Sequence, residues 1–262
     1  MPIPLQDMAD KRHLVPVIII TAVSFFSCTL VKENRDPCPC LLDIHLSGTF
    51  GQPAEVLVEA GSESVTYHVE GDTLLQVSVP RGGVSVTAWS GAASGPFGSV
   101  FSILPGNEAP PLYLCRCRMD AFGDLAIVHA RLQKQYCTLR VSVEGPPGWG
   151  KPFGTRIRGG VCGMGLDGIP VEGEYSFEPD MSSGMWTARI PRQFADSPLL
   201  LDIVMEDSTV RTFSLGPYLH ESGFDWSLPD LQDLDLLLSV SVTSLTIRPP
   251  SWEPETFMSV DI

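Results

Sequence analysis

Apolar and polar residues trade places at every second position through most of this chain, in short runs that end at glycine or proline. Leu42, Ile44 and Leu46 of "CLLDIHLSG" fall on one face of an extended backbone, with polar residues between them. That is the pattern of a half-buried strand. "AEVLVEA", "SVTYHVEG", "TLLQVSVP" and "GGVSVTAWSG" follow closely, and "LYLCRCRM", "DLAIVHARL" and "YCTLRVSVEG" complete a first set. No stretch before Pro146 keeps the apolar spacing of a helix. Each strand has one apolar face that must be covered, so many short strands in succession predict sheets packed face to face.

"EGPPGWGKPFG", residues 144–154, cannot continue a helix or an interior strand. It marks a domain boundary or a long turn. Strands resume beyond it in "GTRIRGGVCG", "GEYSFEP", "GMWTARIP", "PLLLDIVMED" and "VRTFSLGP". "LPDLQDLDLLLSVSVTSLTIRP" then leads to a final "SWEPETFMSVDI". The expected organisation is all-β, with two β-sandwich domains over residues 41–148 and 149–262, each of ordinary domain size. No exact internal repeat is visible. Valine, leucine, serine and threonine dominate and charged residues are sparse, which suits a globular chain and not a disordered one. The net charge of -14 argues against non-specific nucleic-acid binding, which needs clustered Lys and Arg.

The N-terminus does not fit this pattern. Lys11, Arg12 and His13 precede an apolar run from Leu14 to Phe26, shorter than the roughly 20 residues of a membrane-spanning helix. A basic flank and a short apolar core have the layout of a secretory signal peptide over residues 1–27. Cys28 follows directly, where a bacterial lipoprotein is cleaved and its cysteine acylated; Phe26 stands where a small residue is usual. Residues 28–40 would then be the lipidated N-terminus and tether, carrying a diacylglycerol and an N-acyl chain on Cys28. Each buried methylene contributes about 0.8 kcal/mol to membrane binding. Cys38, Cys40, Cys115, Cys117, Cys137 and Cys162 remain, an even number that in an exported chain makes them disulfide candidates of unreadable connectivity. Cys115 and Cys117 share a strand face, and each could meet Cys137 or an N-terminal cysteine. A four-thiolate zinc site from "CPC" and "CRC" and plain buried thiols are the other readings.

No nucleophile, base and orienting group assemble into a catalytic motif in the sequence. His45, His68, His129 and His220 are scattered, with no HExxH, GxSxG or phosphate-binding loop. The glycines of "RGGVCGMGLDG" sit among strands and read as a strand-turn-strand connection. Asp230, Asp233 and Asp235 invite a calcium site, but leucines fill the gaps between them, so they read as exposed positions of a half-buried segment. Neither an enzyme activity nor a small-molecule substrate is expected, and no cofactor or metal.

"CTLVKENRDPCPC", with Arg35, Asp36, Pro37, Cys38 and Pro39, resembles the mature N-terminus of FimB-type fimbrial anchor lipoproteins of Bacteroidetes. "VPRGGVSVTAWSG" is similar to a first-domain strand of that family through Gly83, Val86, Trp89 and Gly91, and "GLDGIPVEGEYSF" to a second-domain segment. "LGPYLHESGFDW" and the remaining C-terminal half, including Trp252, are similar as well. The resemblance implies two transthyretin-like β-sandwiches and a non-catalytic outer-membrane lipoprotein. Such a protein anchors the base of a fimbria and limits its length, with fimbrial shaft subunits as partners. Subunits of this class join by strand exchange. "ETFMSVDI" alternates Phe257, Ser259 and Asp261 against Met258, Val260 and Ile262. Residues 252–262, with Trp252, Phe257, Met258, Val260 and Ile262 as contact candidates, are therefore either a donated strand or an ordinary final edge strand. The rival expectations are a tip or shaft pilin of the same system, or a surface lipoprotein that binds glycans or host proteins. Shaft subunits carry a basic cleavage site after the first strand, and this chain has no Lys or Arg between Cys40 and Tyr67.

Overall fold

A computed structural model describes residues 38–92, 95–144, 154–180, 185–204, 208–221, 223–240, 244–248 and 258–261. The expected leader, Cys28, Trp149, Trp252, Phe257 and Ile262 lie outside the described residues. The chain is all-β, folded as sandwich-like domains. In the first sandwich β1 (Cys40–Ser47) lies between β4 (Thr73–Val79), antiparallel, and β8 (Leu125–Arg131), parallel. The facing sheet runs β3 (Glu63–Glu70), β2 (Pro53–Ala60), β5 (Gly82–Ser90), β7 (Tyr113–Ala121), β9 (Gln133–Lys134), all antiparallel. Alternation decides what is buried: Leu42, Ile44 and Leu46 of β1 meet Val56, Val58, Val84 and Val86 across the gap, with Ala126, Val128 and Ala130 of β8 beside them.

The second sandwich repeats this wiring for seven strands, with no counterpart of β9. Its first strand, β10 (Tyr136–Glu144), lies between β13 (Met185–Pro191), antiparallel, and β16 (Leu234–Val240), parallel. The facing sheet runs β12 (Pro170–Phe177), β11 (Gly154–Gly165), β14 (Leu200–Val204), β15 (Val210–Ser214). Thus β1, β4 and β8 correspond to β10, β13 and β16, and β3, β2, β5 and β7 to β12, β11, β14 and β15. The second core gathers Cys137, Leu139, Val141, Ile157, Trp186, Leu201, Phe213 and Leu236.

Two elements differ from the sequence reading. "YCTLRVSVEG", grouped there with the first set, opens the second sandwich because Leu139 and Val141 point into the second core. The chain crosses between the two cores at residues 132–135, and β10 and β11, the strands on either side of the glycine- and proline-rich stretch, both belong to the second sandwich. A seven-residue helix, Leu215–Glu221, follows β15, and its Leu215 and Leu219 are buried in the second core.

The two sandwiches are stitched by the chain between β5 and β7. Within it, β6 (Val100–Ser102) pairs antiparallel with β11. A separate apolar cluster forms there from Trp89, Phe101, Leu112, Leu114 and Met164. The Trp89 and Phe101 rings meet edge-on with centroids 5.8 Å apart, a geometry contributing about 0.5–1.5 kcal/mol beyond area burial. Glycine is required twice. A Cβ on Gly163 would lie 2.7 Å from the Phe101 carbonyl oxygen, closing the gap β6 needs; on Gly91, at φ +84°, it would lie 1.9 Å from that of Pro111. Arg192, which is buried, holds the crossover from below. It donates to Gln135 Oε1 (2.9 Å), to the carbonyls of Lys134 (3.3 Å), Leu228 (2.8 Å) and Pro229 (3.0 Å), and to that of Trp226.

In the second sandwich Asp202 of β14, also buried, accepts from Arg158 (2.7 and 3.0 Å) and Thr212 (2.7 Å). The Arg158 guanidinium holds its carboxyl below the ordinary aspartate range. A depressed native pKa gives stability that is full above the unfolded value, near 3.9, and is lost as pH falls through the native one. Asp202→Asn is therefore expected to lower stability at neutral pH by about 1–3 kcal/mol and to flatten the acid limb of a denaturation profile below roughly pH 4. Gly91→Ala should cost at least about 2 kcal/mol, from left-handed strain and the Pro111 contact together. Gly51→Ala, at φ +76° with nothing within 4 Å of the new Cβ, should lose only the strain. Urea midpoints of the two variants test the difference.

Candidate functional site

The C-terminal edge of the second sandwich is the part of the fold that its repeated wiring does not explain. Seven strands of the first sandwich have counterparts in β10 to β16. Beyond these, β17 (Ser244–Arg248) pairs antiparallel with β16, and β18 (Met258–Asp261) antiparallel with β17. β18 closes the order β13-β10-β16-β17-β18, and among the described residues only β17 pairs with it. Met258 and Val260 stand opposite Ile247 and Leu245, while Ser259 and Asp261 stand opposite Thr246 and Ser244. The alternation read in the sequence is thus seated on a strand at the sheet's outer edge. Such an edge is where one strand can be exchanged for another at little cost to the rest. Of the strand-exchange candidates, Met258 and Val260 lie in β18; Trp252, Phe257 and Ile262 lie outside the described residues.

Cys40, Cys115, Cys117, Cys137 and Cys162 carry free thiols. Cys40 is buried in the first core and Cys137 in the second, so the two are held apart by different packing. Cys38 is exposed, and Cys162 of β11 donates to the Glu172 carbonyl oxygen at 3.6 Å. Cys115 and Cys117, two apart on β7, bring their sulfurs to 3.6 Å. The Cys115 thiol donating to Cys117 pulls the Cys117 pKa down to about 7; the same contact, then burial, pushes Cys115 up. Burial pushes Cys137 up to about 12. The shared face of Cys115 and Cys117 was legible in the alternation, but their mutual contact was not, since it depends on rotamers set by the core beneath them.

The other residues singled out from the sequence have structural partners. Asp230 accepts from the Lys134 amide (3.0 Å) and Arg131 (3.3 Å). Asp233 accepts from the Thr138 amide (2.7 Å) and from Lys134 Nζ, and Asp235 from Arg140 (3.2 Å). This acidic run thereby ties the segment before β16 to the crossover and to β10. Among the described residues no three His, Cys, Asp or Glu side chains converge as metal ligands. His45 and His129 are cross-strand neighbours on β1 and β8, ring centroids 4.9 Å apart. His68 bridges Glu55 (2.9 Å) and Glu70 (3.3 Å) on an exposed edge, and these carboxylates raise its pKa. The glycines of "RGGVCGMGLDG" form the end of β11 and its turn to β12, and accommodate β6. Arg192 had no sequence signal, because a buried arginine looks like any other until its carbonyl partners are assembled.

No protein-family model matches the chain, and no relative is found among curated protein sequences. Solved structures do match. A presumed polysaccharide-binding protein of Bacteroides thetaiotaomicron superposes with a TM-score of 0.61 at 13% identity, over 83% of this chain and 99% of that one. A presumed adhesin of Bacteroides ovatus gives 0.60 at 12% identity, over 85% and 95%. The fimbrial anchor protein Mfa2 of Porphyromonas gingivalis gives 0.56 at 11% identity, over 85% and 96%. At such identities the likeness is one of fold.

Thiol reactivity checks the geometry of β7. Alkylation of the folded protein near pH 7, mapped by mass spectrometry, is expected to modify Cys117 well ahead of Cys40, Cys115 and Cys137. Cys115→Ala should move the pH midpoint for Cys117 labelling up toward the ordinary thiol value of about 8.5.

Proposed function

We propose that this chain is a non-catalytic, lipid-anchored surface protein that fixes the base of a fimbria to the outer membrane and limits its length. In this reading Cys28 carries the diacylglycerol and N-acyl chain, the two sandwiches form the foot, and the C-terminal strand joins a fimbrial shaft subunit. The carrying observation is that β17 and β18 lie outside the seven-strand wiring the two sandwiches share. The first sandwich packs its core without their equivalents, so the second can release β18 without surrendering its own. An extended segment donated to another sheet gains main-chain hydrogen bonds, while its alternate side chains, here Met258, Val260 and Ile262, fill apolar pockets. The fold shared with the fimbrial anchor Mfa2 supports the same reading.

Placement of β1 supports the anchor over a shaft pilin. It runs down the middle of its sheet, paired on both sides, and its side chains at Leu42, Ile44 and Leu46 are core. A subunit that shed this strand would open its core, and no Lys or Arg between Cys40 and Tyr67 offers a basic cleavage site. A glycan-binding surface protein is the second reading, supported by the fold shared with the presumed polysaccharide-binding protein. Sugar recognition by stacking needs an exposed aromatic face. The described tryptophans Trp89, Trp186 and Trp226 are all buried, and the exposed Phe50, Phe97 and Phe122 stand in three separate connections between strands, which favours the anchor.

Two measurements test the proposal. Metabolic labelling with a fatty-acid analogue is expected to mark the wild type and to leave Cys28→Ala unmarked; equal labelling removes the lipid anchor. Deleting residues 252–262 should abolish shaft attachment while the protein stays acylated and folded. Attachment that survives the deletion removes the donated strand.

A further inference from the structure

The first sandwich has two unlike ends. β1 begins at Cys40, so the chain from Cys28 enters at the end formed by the turns at residues 80–82 and 122–124; the second sandwich follows from the opposite end, at residues 132–135. At the entering end Leu41 and Leu125 are neighbours in register on the outward face of β1 and β8, with Ile127 next along. All three are exposed, at 40%, 52% and 50%. Phe122, at the tip of the β7–β8 turn, is 65% exposed although its neighbour Ala121 is fully buried. The turn that carries it is fixed. Arg81 donates to the Phe122 carbonyl at 2.7 Å and pairs with Asp124, and the Leu41 amide donates to the Asp124 carbonyl at 2.9 Å. Phe122 is therefore held outward by a braced turn beside three more apolar side chains. Exposed apolar side chains gathered at one end of a sandwich in this way mark a docking surface.

We infer that this patch rests on the lipid bilayer, with Phe122 in the headgroup–acyl boundary and Leu41, Leu125 and Ile127 behind it. The inference depends on acylation of Cys28. Eleven residues lie between Cys28 and Cys40, a reach of at most about 40 Å when fully extended. The lipid thus tethers the entering end to the membrane by the shortest length of chain, and the opposite end only through the further length of the sandwich. The charges around the patch give no attraction to anionic lipid: Arg81 pairs with Asp124, the Asp43 carboxylate in register with Ile127 accepts from Gln76 (2.9 Å), and the chain's net charge is -14. Partitioning of these side chains adds to the acyl chains and turns a flexible leash into a seated foot.

The test uses the full-length acylated protein in phosphatidylcholine–phosphatidylethanolamine vesicles. Phe122→p-benzoylphenylalanine and, at the opposite end, Phe50→p-benzoylphenylalanine are photolysed and their adducts identified by mass. Phe50 is more exposed, at 74%, so exposure alone favours it. Lipid adducts several-fold more abundant at residue 122 than at residue 50 are the expected result. Equal lipid labelling at the two positions, or adducts at residue 122 to a second copy or a shaft subunit, overturn the membrane contact. The N-terminal peptide is weighed in the same sample. If it is acylated and residue 122 stays free of lipid, only this inference falls; if it is unacylated, the anchor reading falls with it.

Discussion

The parallel pairing of a first strand with a last one governs this fold. β1 is registered with β8 from Leu41–Leu125 to Ser47–Arg131, and β10 with β16 from Leu139–Leu234 to Glu144–Ser239. Neither pair can form until the chain between its members has returned, so each sandwich closes late and over a long loop. Once closed, the first strand is the best-held element of its sheet, with hydrogen bonds on both flanks and its apolar row in the core. A load applied at Cys40 along the strand acts on all of these bonds in shear and peels none of them singly. In the proposed foot of a filament, the tether therefore enters where the sandwich resists pulling most.

The same logic extends to the junction. A load passed from the first sandwich to the second travels through the crossover at residues 132–135 and through β6 lying on β11. The crossover is clamped by an unusual device, a buried arginine whose hydrogen bonds go to four backbone carbonyls and one glutamine. Burial alone pushes the Arg192 pKa down. Carbonyl dipoles offset that cost by meeting its donors, and the charge is retained. The benefit is specificity, because only one arrangement of the strands and of the loop at residues 226–229 presents those oxygens together. Asp230 and Asp233 brace the same loop from outside.

Much of the fold was legible because period-two alternation needs no tertiary context. Leu42, Ile44 and Leu46 announce β1, and the likeness around Trp89 and Gly91 falls on residues that build the junction. What stayed hidden involves long-range choice. β10 follows β9 with no glycine or proline to signal a change of core, and the strands on either side of the punctuated stretch, β10 and β11, share one sandwich. The helix at Leu215–Glu221 is too short for its two buried leucines to establish a period. The repeated wiring left no trace in the sequence, since alternation fixes which face is buried and leaves the identity of the buried residues free. At the candidate site, the alternation of Met258 and Val260 was visible. That β18 stands outside the shared seven-strand set required both sandwiches to be compared.

Using one wiring twice creates a problem that the two copies solve differently. A sandwich closed by a parallel first and last strand leaves the far edge of that last strand open, an invitation to unwanted pairing. In the second sandwich β17 and β18 cover β16 in the same chain. In the first, no further strand among the described residues covers β8, and its outward positions Leu125 and Ile127 are apolar. An edge left in that condition on a free soluble domain would favour aggregation. In the proposed anchor, tethered to a bilayer, it would have a surface to lie on, and the covering strands of the other copy would be the part lent to a neighbour. In the proposed anchor, the direction from lipid to filament would come from this difference between two edges and not from any difference in how the sandwiches fold.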